Sequence, residues 1–336
     1  MLVLLAALSI VAAGCAGAAS PSPSSAPASG PATKLVVGLG YIPSVQFAQF
    51  YYAQQAGYYR DAGLDVTFQN KIDPDLIVLL GQGAVDIGIA DGTSVIPAVS
   101  QGIPIRYVAT IYGTLPNIVF AKKSSGISRA ADLRGRRVGT PCRCGSNWIM
   151  LEALLQSVGL TTSDVQVVEY PDFGQAAAVA QGTIDAATGY VANEPLQLEQ
   201  QGIATNVIQL PPGTSLPGPG LVAGTGTVAK KAPALRAFVA ATLRAMNEIR
   251  ADPARGLAAA IAAVPELKSG QALQAKILQA TIASWGGPYT GAHGYGAIDP
   301  HAWAQSLAFM SSLPEHLVPK PVTVDQLIDA SLLPGG

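Results

Sequence analysis

The sequence predicts a two-lobed α/β fold in which each lobe is a mixed β-sheet flanked by helices. Strand-like apolar runs alternate with helix-like stretches from residue 35 to residue 210, the pattern of sheets covered by helices on both faces. A near-repeat supports two lobes: Gln-Gly-Ala-Val-Asp at 82–86 and Gln-Gly-Thr-Ile-Asp at 181–185. Each copy follows a helix-like stretch and precedes a short strand of small residues. Two similar units therefore predict a site between facing strand ends.

The elements of the first copy follow from periodicity and turn residues. Apolar runs predict strands, and apolar spacings of three and four predict helices. Asp73 and Pro74 are typical of a helix start, with the aspartate as cap. The predicted strands are 35–39, 64–70, 85–90 and 106–112, and the predicted helices are 44–59, 73–83 and 93–101.

The second copy restarts the same pattern and is followed by a helical C-terminal region. Its strands are predicted at 138–140, 165–169, 184–189 and 204–210, and its helices at 147–158, 174–181 and 194–200. The Pro/Gly-rich segment 211–220 is interpreted as an irregular crossover that leads into a strand at 221–228. Ala-rich helices are then predicted at 233–251, 253–263, 270–285, 299–312 and 322–331.

The N-terminal residues predict export and a membrane anchor. Residues 2–14 are uncharged, and this stretch is shorter than the about 20 residues that a spanning helix needs. Ala12-Ala13-Gly14-Cys15 resembles a bacterial lipoprotein signal, which makes 1–15 a signal peptide and Cys15 the lipidated residue. A plain signal peptide with a chance cysteine remains the alternative. Residues 16–33 contain only Ala, Gly, Ser, Pro and Thr, which predicts a disordered tether.

Composition limits the classes of partner. The chain is 49% hydrophobic and 12% charged with a net charge of −1, so we expect no basic face for nucleic acid. The Cys142 and Cys144 spacing is poor for a disulfide, and His293, His301 and His316 are too distant to complete a zinc site. We therefore expect two free thiols, no metal and no cofactor.

Five motifs carry a resemblance to a known family. They lie at 40–48, 56–66, 83–88, 133–139 and 190–195. With these, the chain resembles substrate-binding proteins of ABC importers over about 34–330. It is most similar to the branch that binds thiamine-pyrimidine precursors, in the superfamily of the sulfonate and nitrate binders.

The resemblance implies a periplasmic-binding-protein type II fold, with a ligand trapped by closure about a hinge. Lobe 1 would comprise 34–118 plus 222–336 and lobe 2 would comprise 119–221, with crossovers near 119–122 and 218–222. It also implies a monomeric extracytoplasmic receptor that hands its ligand to a permease and its ATPase. An enzyme branch that makes the thiamine pyrimidine shares the fold. That branch carries a cysteine-rich motif around 205–225, where this sequence has no cysteine, so we expect no catalysis.

The predicted site follows from the rule that ligands bind outside the carboxyl ends of strands in open α/β sheets. Thr93 or Ser94 could instead cap a helix, Trp148 could be core, and Glu194 could merely favour a helix dipole. The candidate ligand-binding residues are Tyr41, Gln46, Asp91, Thr93, Ser94, Tyr112, Cys144, Ser146, Asn147, Trp148, Tyr190, Asn193 and Glu194, with Trp285 as a further wall.

The chemistry of this set favours one class of ligand. It combines aromatic rings, amides and hydroxyls with two carboxylates, and Arg143 is its single cation. A sulfonate or nitrate site should carry more positive charge or many amide donors. A planar heteroaromatic ring with N–H donors fits better. We expect a thiamine-pyrimidine precursor, with a flavin such as riboflavin, a sulfonate or nitrate as alternatives.

Overall fold

The computed structural model describes residues 31–214, 216–313 and 316–335. The predicted signal peptide, Cys15 and nearly all of the predicted tether lie outside these residues. Within the described part of the chain, no helix combines the length and apolarity that crossing a membrane requires.

Ten strands form the two sheets. They are β1 Thr33–Leu39, β2 Leu64–Asn70, β3 Ile87–Asp91, β4 Ile105–Thr110, β5 Asn117–Lys122, β6 Arg137–Thr140, β7 Gln166–Glu169, β8 Ala186–Tyr190, β9 Thr205–Ile208 and β10 Pro219–Gly224.

The helices cover the sheets and fill the C-terminal third of the chain. They are α1 Ala48–Gln55, α2 Tyr58–Asp61, α3 Asp73–Gln82, α4 Gly92–Ser100, α5 Gly145–Gln156, α6 Gln175–Gln181, α7 Glu194–Gln200, α8 Thr225–Ala251, α9 Pro253–Ala263, α10 Gln271–Trp285, α11 Pro288–His293, α12 Pro300–Ser312 and α13 Val324–Leu327. Short 3-10 turns connect several of them.

The two sheets have the same mixed topology. Their strand orders are β2-β1-β3-β10-β4 and β7-β6-β8-β5-β9. In each sheet, three neighbouring strands are parallel. The crossover strand, β10 in the first sheet and β5 in the second, pairs antiparallel with both of its neighbours. We call the body built on the first sheet lobe 1 and the body built on the second sheet lobe 2. The predicted fold class is confirmed.

Several predicted boundaries shift. Strand β5 starts at Asn117 and β10 at Pro219, a few residues ahead of the predicted lobe boundaries at 119 and 222. The sequence of a crossover strand does not indicate which of the two sheets the strand joins. The predicted strand 221–228 stops at Gly224, where α8 begins. The predicted helix 44–59 is broken at Gly57, whose φ of 80° is left-handed.

The near-repeat has the same structural role in both lobes. The glycine of each copy ends the preceding helix in a left-handed conformation, with φ of 73° and 78°. Asp86 Oδ2 then accepts the backbone N–H of Val36 at 2.9 Å, and Asp185 Oδ2 accepts that of Arg137 at 2.8 Å. Each aspartate thereby fixes the start of β3 or β8 beside the adjacent parallel strand. The repeated glycine and aspartate thus shape the turn from helix to strand in both lobes.

The core of lobe 1 is closed by the C-terminal helices. Phe238 of α8 stacks on Tyr59 with ring centroids 4.9 Å apart, and on Phe50 of α1 at 6.2 Å. All three rings are almost completely buried. This packing holds the C-terminal helices against the lobe whose strand ends face lobe 2.

Candidate functional site

A cavity of about 340 Å³ lies between the carboxyl ends of strands from both lobes. This volume falls in the range of about 300–1,000 Å³ that is typical of small-molecule sites. Its walls include the last residues of β3 and the turns after β1, β2, β6, β7 and β8, as the strand-end rule predicts.

Most of the predicted residues meet at this cavity. Those that line it are Tyr41, Gln46, Asp91, Tyr112, Cys144, Ser146, Asn147, Tyr190, Asn193 and Glu194.

Four predicted residues lie elsewhere. Thr93 and Ser94 are buried in the first turn of α4, so they belong to the interior of lobe 1 and not to the cavity wall. Trp148 packs against the lobe 2 core, with the guanidinium of Arg143 over its ring at 5.5 Å. Trp285 is fully buried in the core of lobe 1.

Asp91 joins the two lobes through its side chain. Its Oδ1 accepts a hydrogen bond from the Tyr190 hydroxyl at 2.6 Å, and its Oδ2 accepts one from the Ser146 hydroxyl. Asn117 donates to Ser146 Oγ at 3.0 Å, which leaves the serine proton available for Asp91. Burial raises the pKa of the Asp91 carboxyl, and these two donors partly oppose that effect. Asp91 is therefore a bridge across the cleft.

A second hydrogen bond between the lobes involves Tyr41, an aromatic residue of the cavity wall. Asn193 of lobe 2 donates to the hydroxyl oxygen of Tyr41 in lobe 1 at 3.4 Å. The Tyr41 ring meets the Phe173 ring edge-on, with centroids 4.7 Å apart. Phe173 has a φ of 59°, an uncommon conformation for a non-glycine residue. No periodic pattern indicates Phe173, since it lies in the turn before α6.

Glu194 is a buried carboxylate at the start of α7. Its Oε2 accepts the backbone N–H of Tyr190 at 2.7 Å. Burial raises the pKa of Glu194 to about 7, and the hydrogen bonds that it accepts lower it in part. Gly189 permits this placement, because a Cβ on that residue would lie 2.5 Å from Glu194 Oε2.

Asp73 lines the cavity, although its place in the sequence predicts a helix cap. Helix α3 begins at Asp73 itself, and no side chain caps it. Asp73 Oδ1 accepts the backbone N–H of Asp91 at 2.8 Å, so the carboxylate faces the end of β3. Burial, followed by the nearby charge of Asp91, raises the pKa of Asp73 to about 7. An Asp-Pro pair at a helix start is compatible with a capping residue and with a cavity residue, so the sequence pattern alone could not distinguish these two roles.

Cys142 and Cys144 correct the expectation of free thiols. They form a disulfide in the turn before α5, with Cα atoms 5.2 Å apart. That distance lies within the usual range for disulfides, because the chain bends at Arg143 and brings the two Cα atoms closer than an extended chain would. Both cysteines line the cavity.

The cavity is acidic and aromatic. Its lining includes the carboxylates of Asp73, Asp91 and Glu194, and among the described residues that line it there is no Lys, Arg or His. Arg143, the expected cation, instead pairs with Glu169 at 3.2 Å on the exposed rim. In residues 31–214, 216–313 and 316–335, no group of three or more His, Cys, Asp or Glu side chains is arranged to hold a metal. The lining can thus accept hydrogen bonds and stack on rings, and it disfavours anions.

The chain is similar to known proteins over most of its length. The family model described as NMT1/THI5 like matches residues 44–256. The chain is 32% identical, over 95% of its length and 92% of the relative, to a protein from Chloroflexus aurantiacus named riboflavin-binding protein RibY. It is 27% identical, over 50% of its length and 49% of the relative, to a Saccharomyces cerevisiae protein named 4-amino-5-hydroxymethyl-2-methylpyrimidine phosphate synthase THI13.

Among solved structures, the fold resembles the periplasmic aliphatic sulphonate binding protein SsuA from Escherichia coli. The TM-score is 0.68 at 20% identity, covering 88% of this chain and 92% of that protein. The alkanesulfonate-binding protein SsuA from Xanthomonas axonopodis pv. citri, solved with MOPS, gives 0.68 at 18% identity, covering 91% of this chain and 99% of that protein. At these identities the similarity concerns the fold.

Proposed function

The chain belongs to the NMT1/THI5-like family, and from this premise we propose that it is the solute-binding protein of an ABC importer. It captures a small heteroaromatic molecule between its lobes and delivers it to a permease. The observation that carries the proposal is an acidic, aromatic cavity whose lining holds no cationic side chain among the described residues.

The ligand class follows from the groups that face the cavity. Tyr41, Phe173, Tyr112 and Tyr190 offer ring faces and edges, which favour a flat aromatic ligand. Carboxylates accept hydrogen bonds from amino groups, ring N–H groups and hydroxyls, and they repel anions. A sulfonate or nitrate would have to enter an acidic site. We therefore propose heteroaromatic ligands in preference to these anions, although the fold is shared with sulfonate binders.

Two heteroaromatic ligands are candidates. Riboflavin is the first, because the relative that is similar over nearly the whole chain is named for it, and a cavity of about 340 Å³ suits a ligand larger than one ring. The thiamine-pyrimidine precursor is the second, because a carboxylate accepts a hydrogen bond from its amino group and a second one from the ring N–H of the protonated ring. Relatives named as pyrimidine phosphate synthases also match half of the chain.

The same proposal covers location and partners. We propose an extracytoplasmic monomer, anchored through lipidated Cys15 and working with a membrane permease and its ATPase. Its cavity side chains bind and orient the ligand, and no bond is made or broken. Closure would use the contacts already seen across the cleft, since Asp91 and Tyr41 each bond to a residue of the opposite lobe.

The test is a thermal-shift comparison on the purified protein with riboflavin, 4-amino-5-hydroxymethyl-2-methylpyrimidine, taurine and nitrate. A ligand at about 100 times its Kd stabilises the native state by about 2.7 kcal/mol, which raises the melting temperature by several degrees. We expect a shift with riboflavin or the aminopyrimidine. A Phe173→Ala variant should show a smaller shift because it loses a ring wall. Stabilisation by taurine or nitrate alone would contradict the proposed ligand class.

A further inference from the structure

The buried carboxylates of the cavity differ in how completely they are hydrogen-bonded. Asp91 uses both oxygens, which accept from Tyr190 and Ser146. Asp73 uses one oxygen, since Oδ1 accepts the backbone N–H of Asp91. Within the described residues, Asp73 Oδ2 is buried and meets no donor in hydrogen-bonding geometry. Asp73 therefore keeps an open acceptor in the cleft.

The open oxygen lies toward the opposite lobe. Asp73 and Gly145 both line the cavity, the first at the start of α3 in lobe 1 and the second at the start of α5 in lobe 2. Asp73 Oδ2 lies 4.0 Å from the position that a Cβ on Gly145 would occupy. Only 9% of the Asp73 surface is exposed. A group that entered between the lobes would reach this oxygen from the cavity side.

No described side chain supplies the hydrogen-bond donor that Asp73 Oδ2 lacks. An orphaned buried acceptor costs free energy, more so when it is charged. The described lining has no Lys, Arg or His that could pair with Asp73. The Ser94 hydroxyl lies nearby and lowers the pKa of Asp73 somewhat, yet neither Ser94 Oγ nor Asp73 Oδ2 reaches a partner within hydrogen-bonding distance and angle.

We propose that Asp73 is a specificity-determining residue of the cleft, whose Oδ2 accepts a hydrogen bond from an N–H or O–H group of a neutral or cationic ring ligand. This inference rests on the proposed function and narrows it, because the ligand must present a donor where the start of α3 meets the end of β3. An anionic group at the same place would face an unneutralised carboxylate. Asp73 thus selects for donors and against anions.

The decisive variant is Asp73→Asn. The asparagine oxygen can still accept the Asp91 N–H, while the amide nitrogen replaces the open acceptor with a donor. Removal of a buried, poorly paired charge should raise the melting temperature of the ligand-free protein at pH 8, where the wild-type carboxyl is mostly ionised. The same change should weaken binding of riboflavin, or of the aminopyrimidine, by roughly 10- to 100-fold, as loss of a hydrogen bond to a charged group implies.

The control is Asp65→Asn, on an exposed position of β2 in the same lobe, which removes one charge far from the cavity. It should change neither the melting temperature nor the Kd. A positioning or purely structural role for Asp73 would lower stability and affinity together, so a reduced melting temperature of Asp73→Asn overturns the inference. Unchanged affinity in that variant also overturns it.

Failure of this inference is distinguishable from failure of the proposed function. If the wild-type protein binds neither riboflavin nor the aminopyrimidine, the proposed function fails and the role of Asp73 falls with it. If the wild-type protein binds a probe and Asp73→Asn binds that probe equally well, the receptor function stands and only the role of Asp73 is refuted. Fluorescence quenching measures riboflavin binding, and calorimetry measures aminopyrimidine binding.

Discussion

The buried Glu194 carboxylate should make the stability of this protein depend on pH in a way that one substitution removes. Glu194→Gln keeps the shape of the side chain and one oxygen that can accept the Tyr190 N–H, now 2.7 Å from Glu194 Oε2. It removes a charge that is 95% buried, since Glu194 is 5% exposed. The variant therefore isolates the cost of ionising this residue inside the cleft.

The magnitude follows from the shift in pKa. Burial raises the pKa of Glu194 from 4.5 to about 7, so the folded protein holds this proton more tightly than the unfolded chain does. Stability consequently falls as pH rises from about 4.5 to about 7, and the loss is complete above that range. At about 1.36 kcal/mol for each unit of pKa, the full cost is about 3 kcal/mol, of which most develops between about pH 5 and 8.

Urea unfolding of the ligand-free protein at pH 5 and pH 8 measures this effect. The unfolding free energy of Glu194→Gln minus that of the wild type should increase by about 2 to 3 kcal/mol from pH 5 to pH 8. The matched control is Glu199→Gln in the same helix, whose carboxylate is exposed and lies 3.5 Å from Lys276 Nζ. That variant should show a small change at both pH values. Equal effects of Glu194→Gln at pH 5 and pH 8 would refute the assigned cause.

Two further substitutions test how the cleft is built. Gly189→Ala places a Cβ 2.5 Å from Glu194 Oε2 and 3.0 Å from a Phe120 ring carbon, so denaturant unfolding should show a loss of about 1–3 kcal/mol. Gly226→Ala, where a Cβ meets no atom within 4 Å, should be nearly neutral. Replacing both Cys142 and Cys144 by serine opens a very small loop and should cost roughly 1.5 kcal/mol, with several-fold weaker riboflavin binding because both residues line the cavity. Reductant should reproduce this effect in the wild-type protein and leave the variant unchanged; unaltered riboflavin binding would contradict the role of the disulfide.

The general architecture could be predicted because its causes are local and repeated. Apolar runs of strand length, the glycines that end helices and the two Gln-Gly-x-x-Asp segments act within a few residues of where they stand. The strand-end rule then placed residues such as Tyr41, Asp91 and Tyr190 at one cavity. No long-range information was needed for these steps, since parallel strands necessarily present their carboxyl ends at the same edge.

The residues that were missed depend on contacts between distant segments. Asp73 looks like a helix cap in the sequence, and only the approach of β3 shows that it accepts the Asp91 N–H. Phe173 meets Tyr41 from the other lobe, which no periodicity can indicate. The spacing of Cys142 and Cys144 argued against a disulfide, and only the bend between them brings the two Cα atoms to 5.2 Å. The errors at Asp73 and at the two cysteines arose because a short pattern there is compatible with two structures.

The repeat accounts for how the two lobes meet. Asp91 and Tyr190 are both the fifth residue after the aspartate of their copy, and each ends the strand that the copy introduces. These equivalent positions hydrogen-bond to each other across the cleft at 2.6 Å. An acceptor stands at one position and a donor at the other, so the two equivalent positions form a complementary pair. Two identical aspartates there would repel, and two tyrosines would leave no carboxylate to hold Ser146. The difference between the copies therefore allows the two lobes to form a hydrogen bond across the cleft.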